Sequence, residues 1–446
     1  MTKVFAINLN PITTLDNIEN NIRYEREDSD ESLEHEKNNH EERNKRRNDT
    51  FLALLSGKHV ETSWSKGILL TVLVVLIGFP TTFLYTLVPM HDLLMNPEFW
   101  YEILFHGSIL NTLRSIAFCL PASWFMNITQ MRKIRTLASV CIASNIINTA
   151  WLITTYYVWT HILQYQYPIP FVGYALYGTE TIVHIVILFY RFPKTWRQDF
   201  GFKRRMKFFL ILIQYIILLD LANTGVTQLL QRFPNQYQPL MALLLPINRE
   251  LILFIFPRFI LDTANGDDTG AIIVLNYAVS AQHAIFLCHN LGSFTTQITS
   301  WVLMSVDFSL NVLLCLRIVW RKKRKRGLLN EQISDLQHLA TYELAEFHAP
   351  LAFLIIFGIA YYGPNSTLFG NISNNYWGFI PIENIVETIQ NMFIFFLVDF
   401  SSTVICAILL WFFCRINLWK VFLVIQHEFG KAFCAILGDF VLLVSL

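Results

Sequence analysis

Long apolar stretches follow one another from Gly67 to the end of this chain, and this succession limits the fold more than any other feature. A hydrocarbon layer about 30 Å thick needs roughly 20 apolar residues per helical crossing. About ten stretches reach that length, so the sequence predicts an all-α, polytopic transmembrane helical bundle. The predicted spans are residues 67–88, 103–126, 137–158, 168–190, 208–230, 239–261, 271–291, 299–320, 345–362 and 385–413.

The last apolar stretch, residues 432–446, is too short for a standard crossing. Three interpretations stay open for it: one arm of a re-entrant hairpin, an interfacial helix, or an eleventh span. Composition agrees with a membrane protein, because charged residues make up only 15% of the chain, against about 25% in soluble domains.

The first 60 residues form a separate polar region. Between Asp16 and Asp49 nearly every residue is charged, Asn or His. Such a segment cannot bury enough apolar surface to offset the entropy of ordering. We therefore expect residues 1–60 to be a disordered, charged, cytoplasmic tail and residues 61–446 to be the multi-span transmembrane domain.

Lysine and arginine are concentrated in alternate gaps between the spans. The gaps after the second, fourth and eighth spans are strongly basic, and those after the first, third and seventh contain no Lys or Arg. Basic loops stay on the cytoplasmic side, so we expect the N-terminus there, in the plasma membrane or an endomembrane. The sequons at Asn365 and Asn371 fall in a gap predicted to be external, where they would be glycosylated.

The connection at residues 321–344 begins with six basic residues and continues with apolar residues at helical spacing. This pattern predicts an amphipathic helix on the inner side, lying on the leaflet or packing on neighbouring spans. Glu346 and His348 follow it directly. We expect those two side chains to lie at the inner interface.

Ionisable residues occur near the centres of several predicted spans. Charged groups at that depth usually face protein or water because their burial is costly. Four acids outnumber the one obvious mid-span arginine, so some carboxyls must be protonated, cation-bound or hydrated. The residues are Arg114 in the second span, Glu180 and His184 in the fourth, Asp220 in the fifth, Asp307 in the eighth and Asp399 in the tenth.

The sixth span contains Pro246 immediately before Asn248, Arg249 and Glu250. Proline removes a helical hydrogen bond, and irregular backbone at membrane depth must line protein or a wet cavity. We expect either a broken helix with Arg249 and Glu250 at a transport site, or a kinked helix whose charges pair for structural reasons.

Sequence signatures of several chemistries are missing. The chain has no G-x-x-x-x-G-K-[ST] phosphate loop, no H-E-x-x-H helix and no G-x-S-x-G elbow. We therefore expect no enzyme, no catalytic residues, no cofactor and no metal-ligand set. A basic run beside a membrane also gives no reason to expect nucleic-acid binding.

These patterns favour a transporter or channel for a small solute or cation, with membrane lipids as its surroundings. Its pathway would be lined by Arg114, Glu180, His184, Asp220, Arg249, Glu250, Asp307 and Asp399. In a proton-coupled version, Glu180 or Asp220 relays the proton and Arg114 adjusts the carboxyl pKa. The alternative is a membrane receptor or scaffold in which these charges pair structurally.

Overall fold

A computed structural model describes the second of two units into which the chain divides, Met1–Ala53 and Leu54–Leu446. The described residues are helical almost throughout and include no strand. They are residues 64–76, 134–158, 234–263, 269–293, 297–323, 329–362 and 385–445, with isolated residues at 112, 162, 182–190, 203–210 and 225–226. The predicted tail and the sequons at Asn365 and Asn371 lie outside them.

Nine α-helices are used below, labelled within these ranges. They are α1 (Trp64–Leu76), α2 (Ile134–Tyr157), α3 (Gln238–Ala242), α4 (Leu244–Thr263), α5 (Thr269–Ser293), α6 (Gln297–Lys323), α7 (Leu329–Tyr362), α8 (Ile385–Leu409) and α9 (Leu418–Ser445). A π-helical turn, Leu410–Cys414, extends α8. It ends at Arg415, whose φ of 57° turns the chain towards α9.

Helix α5 is the central helix of the described bundle. From Ile273 to Ile285 every side chain is buried, whichever side of the helix it lies on. Helices α4, α7, α8 and α9 all pack against it. A helix that is buried on all sides can accept polar residues only where other polar groups or water meet them.

Helices α6, α7 and α8 run alternately up and down beside one another. Arg321 near the end of α6 pairs with Asp335 near the start of α7, with Nη1 2.6 Å from Oδ2. Lys322 donates a hydrogen bond to the backbone carbonyl of Cys414 at the end of the π-turn. The C-terminal ends of α6 and α8 therefore lie together, and α7 runs antiparallel to both.

Two helices, α3 and α4, cover the sixth predicted span and are separated by the single residue Leu243. The φ of −62° and ψ of −18° at Leu243 stay in the right-handed helical region, so this interruption is a local irregularity of the helix. Pro246 lies in the first turn of α4, where its missing N–H leaves no hydrogen bond unmade. Arg249 and Glu250 lie one turn further along α4 rather than at the interruption itself.

Four described stretches are long and apolar enough to cross a membrane. They are Ala138–Thr155 in α2, Gln238–Ile255 across α3 and α4, Ile298–Lys323 in α6, and Val386–Cys414 in α8 and its π-turn. Large apolar side chains are exposed along them, including Leu313 (60%) and Phe412 (70%). This surface is typical of lipid-facing helices, since soluble proteins rarely leave broad apolar patches uncovered.

Helices α7 and α9 both extend beyond the predicted boundaries. The amphipathic segment and the predicted span at 345–362 form one continuous 34-residue helix, α7, which passes through Pro350. Leu336 and Ala340 in its first half are completely buried, so this half packs on protein. Residues 432–445 of the last apolar stretch form the second half of the 28-residue α9, which packs on α1, α5 and α7.

Candidate functional site

Four helices bring ionisable side chains to one buried place. Helix α4 supplies Arg249, α6 supplies Asp307, α7 supplies Glu343 and Glu346, and α8 supplies Asp399. Each of these residues is only 1–2% exposed. The four carboxylates are called the acidic cluster below.

Arg249 is held by contacts on several sides. Its Nη1 donates to Asp307 Oδ1 at 2.7 Å and to Glu346 Oε1 at 3.3 Å. Its Nε and Nη2 donate to Glu250 Oε1 at 3.2 and 3.0 Å. The guanidinium carbon lies 4.3 Å from the centre of the Tyr342 ring, in a cation–π contact. The planar guanidinium thus fixes the relative positions of α4, α6 and α7.

Asn311 lies one helical turn after Asp307 on the same face of α6. Its Nδ2 donates to Glu346 Oε2 at 2.7 Å and to Ser402 Oγ at 3.2 Å. Glu346 therefore has the guanidinium on one oxygen and an amide on the other. The Oδ1 atom of Asn311 is buried and has no hydrogen-bond partner among the described residues.

Glu343 and Asp399 differ sharply in their surroundings. Glu343 Oε2 accepts a short hydrogen bond from Thr403 Oγ1, while its Oε1 is unpartnered. Both carboxylate oxygens of Asp399 are buried and lack any hydrogen-bond partner within the described ranges. A single ligand atom from each of Asp307, Glu346 and Asp399 lies within 4.8 Å of the other two. Three carboxylates thus converge, and one of them is uncompensated.

The position of the cluster along α6 can be measured against two exposed tryptophans. Trp301 and Trp320 are each 52% exposed and lie 19 residues apart, which corresponds to about 28 Å of helix. Tryptophan is enriched at both membrane–water interfaces, and the hydrocarbon layer between them is about 30 Å thick. Asn311 lies midway between the two tryptophans. The cluster around it thus occupies the middle of the apolar stretch.

A series of hydrogen bonds between uncharged side chains lies on the α9 side of the bundle and includes His348, two residues after Glu346 on α7. The Gln426 amide nitrogen donates to His348 Nε2 at 3.1 Å, so His348 Nδ1 carries the proton that it donates to Tyr277 Oη at 3.1 Å. Thr71 Oγ1 donates to Gln426 Oε1 at 2.9 Å. These hydrogen bonds join α1, α5, α7 and α9 and pair both nitrogens of a buried histidine.

His184 lies in a different place. Its Nε2 is 2.7 Å from Ser144 Oγ of α2, and Asn148 Nδ2 donates to the same hydroxyl at 3.0 Å. This buried contact ties the segment containing His184 to α2. It is a separate polar contact from those of the acidic cluster.

The structure brings together Arg249, Glu250, Asp307 and Asp399 among the residues predicted to line a pathway. Arg114, Glu180 and Asp220 lie outside the described residues and stay predictions. Glu343 and Glu346 also lie here, although neither was predicted to line the pathway. Glu346, like His348, is fully buried halfway along α7 instead of lying at an interface. The signal that could have found these acids is the unbroken helical periodicity from Leu329 through Tyr342 into the next span.

Comparison with known proteins gives no relative. No protein-family model, no curated protein and no solved structure matches this chain.

Proposed function

We propose that this chain is an integral membrane transporter or channel for a small cation, or for a small solute whose movement is coupled to a cation. The observation that carries the proposal is the acidic cluster, in which four buried carboxylates meet one guanidinium. We also propose that the N-terminus lies in the cytoplasm, because basic residues are concentrated in alternate gaps between the predicted spans.

The charge excess gives the physical argument. Glu250 is 45% exposed at its side chain, so water screens it and it neutralises Arg249 only in part. The four acids of the acidic cluster would together carry four negative charges at a place with one guanidinium. An isolated buried carboxylate costs several kcal/mol even after relaxation. Such a cluster is tolerable only with bound cations, protons or water, and all three accompany ion permeation.

A polar stripe on the central helix supports a hydrated route to the cluster. Asn276, Ser280 and His283 are spaced four and three residues apart, so they share one face of α5. Each is at most 3% exposed, and each has a side-chain atom without a hydrogen-bond partner in the described part of the chain. Buried polar atoms of this kind are normally met by water. His283 also lies within electrostatic range of Arg249.

One observation favours the alternative, a receptor or scaffold. Arg249 is engaged on every side, as expected of a structural pin that holds α4, α6 and α7 in register. That reading accounts for Asp307, Glu250 and Glu346. It leaves Asp399 without a role, because the Asp399 carboxylate makes no hydrogen bond to the guanidinium. For this reason transport is the proposal here.

The test is ion flux through the full chain reconstituted in proteoliposomes. Initial rates are measured for protons and for monovalent and divalent cations, using trapped indicator dyes. Asp399→Asn should lower the rate at least about tenfold, since that loss corresponds to only ~1.4 kcal/mol of transfer barrier. Asp335→Asn removes an acid of the same helix bundle that pairs with Arg321 far from the cluster, and it should leave the rate unchanged.

Two results would count against transport. One is wild-type protein that moves none of these ions under an imposed gradient. The other is an Asp399→Asn variant with normal flux. Deleting residues 1–60 distinguishes the two functions. A receptor or scaffold that recruits partners through its tail should no longer bind them after the deletion.

A further inference from the structure

We propose that Asp307, Glu346, Asp399 and the Asn311 amide oxygen form a binding site for one hard divalent cation, of the Mg²⁺, Ca²⁺ and Mn²⁺ class. This inference rests on the proposed function in that the bound ion would be the transported or coupling ion. The site itself can be tested without any flux measurement.

The first support is the separation of the carboxylates. Ligand atoms from Asp307, Glu346 and Asp399 lie within 4.8 Å of one another. Oxygens that coordinate one Mg²⁺ or Ca²⁺ stand about 2.0–2.6 Å from the ion, so two of them on opposite sides are roughly 4–5 Å apart. The three helices already hold these oxygens at the spacing that coordination requires.

The second support is independent of the acids and comes from Asn311. Its amide nitrogen is used twice, towards Glu346 and Ser402, which fixes the orientation of the amide. Asn311 as a whole is only 1% exposed, and its Oδ1 atom is buried and accepts no hydrogen bond from a described residue. This buried oxygen has no donor and belongs to an amide whose nitrogen contacts Glu346. It is the kind of neutral oxygen ligand that Ca²⁺ and Mg²⁺ accept.

The third support is the set of unused oxygen lone pairs. Asp307 Oδ2 and both oxygens of Asp399 are buried without hydrogen-bond partners in the described ranges. The other oxygen of Asp307 is committed to Arg249 and to the Tyr342 hydroxyl, which donates at 2.9 Å. These contacts hold the Asp307 carboxylate in place, while its second oxygen and both oxygens of Asp399 remain available for an ion.

The balance of charge favours a divalent ion. Three carboxylates and the Arg249 guanidinium leave an excess of two negative charges, which one divalent cation neutralises. A monovalent ion would leave one charge uncompensated in the interior. The balance requires Glu343 to be protonated, because a fourth buried negative charge would have no cation to neutralise it. Because all the ligands are oxygens, the site favours hard cations over Zn²⁺ or Cu²⁺.

The experiment is Mn²⁺ binding to the purified full chain in detergent micelles, followed by the loss of the free-ion signal in electron paramagnetic resonance. We expect one Mn²⁺ bound per chain, displaced by Ca²⁺ or Mg²⁺. Asp399→Asn should weaken binding by about 100-fold or more, since even outer-sphere changes cost 10–100-fold. The matched control, Asp335→Asn, should bind within about twofold of the wild-type protein.

Saturable binding that is identical in Asp399→Asn and wild type would overturn the proposal, as would wild-type protein that binds no Mn²⁺. If Asp399→Asn does not fold, Mn²⁺ binding is measured on Asn311→Ala instead. Binding about tenfold weaker than that of the wild type would support the site, and unchanged binding would refute it. Failure of the proposed function looks different: Mn²⁺ binds with one ion per chain but no ion flux occurs. Flux of protons or monovalent ions without Mn²⁺ binding refutes the site alone.

Discussion

Replacing Arg249 by methionine tests the charge arrangement most directly. Methionine preserves much of the volume and the unbranched shape of the side chain while removing the positive charge and every N–H donor. Asp307 and Glu346 would then remain buried, at 1% exposure each, without their cation. The acidic cluster would lose the only guanidinium that any described residue presents to it.

The magnitude follows from the individual contacts. The contacts with Glu250 contribute little, because that side chain is 45% exposed and water screens the pair to about 0–1 kcal/mol. The buried contacts with Asp307 at 2.7 Å and Glu346 at 3.3 Å dominate. Breaking a buried ion pair by removing one partner costs about 3–5 kcal/mol. We therefore expect Arg249→Met to lower the free energy of unfolding by about 3–5 kcal/mol.

The assay is equilibrium unfolding of the purified chain in mixed micelles with increasing denaturing detergent, followed by helical circular dichroism. A second substitution sharpens it. Adding Asp307→Asn to Arg249→Met removes one of the two stranded charges, so the double variant should recover more than about 1 kcal/mol relative to the sum of the single effects. Independent contributions would instead add within about 0.5 kcal/mol.

Two results would refute this reasoning. An Arg249→Met variant within about 1 kcal/mol of the wild type would mean that the buried carboxylates do not depend on the guanidinium. Strict additivity in the double variant would mean that Arg249 and Asp307 do not interact energetically despite their 2.7 Å separation. Either outcome would remove the electrostatic basis of the acidic cluster.

Three further outcomes are expected in the same unfolding assay. Asp399→Asn should raise the free energy of unfolding by about 1–3 kcal/mol in metal-free solution, because it removes a buried charge that has no partner; a loss of stability would contradict this. Gln426→Leu should cost about 1–3 kcal/mol, since it leaves His348 Nε2 buried without a donor, whereas an unchanged midpoint would show that water replaces the amide. Asp335→Asn should change stability by no more than about 1 kcal/mol because its partners Arg317 and Arg321 are both partly exposed, and a larger loss would assign the α6–α7 hairpin a greater role.

The sequence predicted the helical class and the importance of polar residues within apolar stretches. Asp307 and Asp399 stand out because each interrupts a long apolar run, and both lie in the acidic cluster. The proline in the sixth span likewise predicted an irregular helix, and the structure has a one-residue interruption at Leu243, whose backbone stays right-handed helical. These features are local, and a local pattern is sufficient to reveal them.

Glu343 and Glu346 were not predicted to line the pathway because the predicted spans relied on average hydropathy. The polar residues between Asn330 and Glu346 lower the average, so the predicted span began at 345 and its first residues were assigned to an interface. Helix α7 instead runs unbroken from Leu329 and buries these acids among protein side chains. Average hydropathy detects contact with lipid, and it does not detect a polar helix that is enclosed by other helices.

The spacing of polar residues gives the face of a helix that turns inward, but not the helix that it meets. On α8, Asp399, Ser402, Thr403 and Cys406 recur at helical spacing and are buried, while Leu397 and Ile408 are exposed. That much follows from the sequence, by the same rule that places Asn311 beside Asp307 on α6. The partner does not follow: the sequence offered both Arg114 and Arg249 as cations, and it took the structure to show that Asp307 pairs with Arg249. Pairing depends on which helices cross at the same depth, and this depth is set by packing between helices that are far apart in the sequence, such as α5 with α7 and α6 with α8.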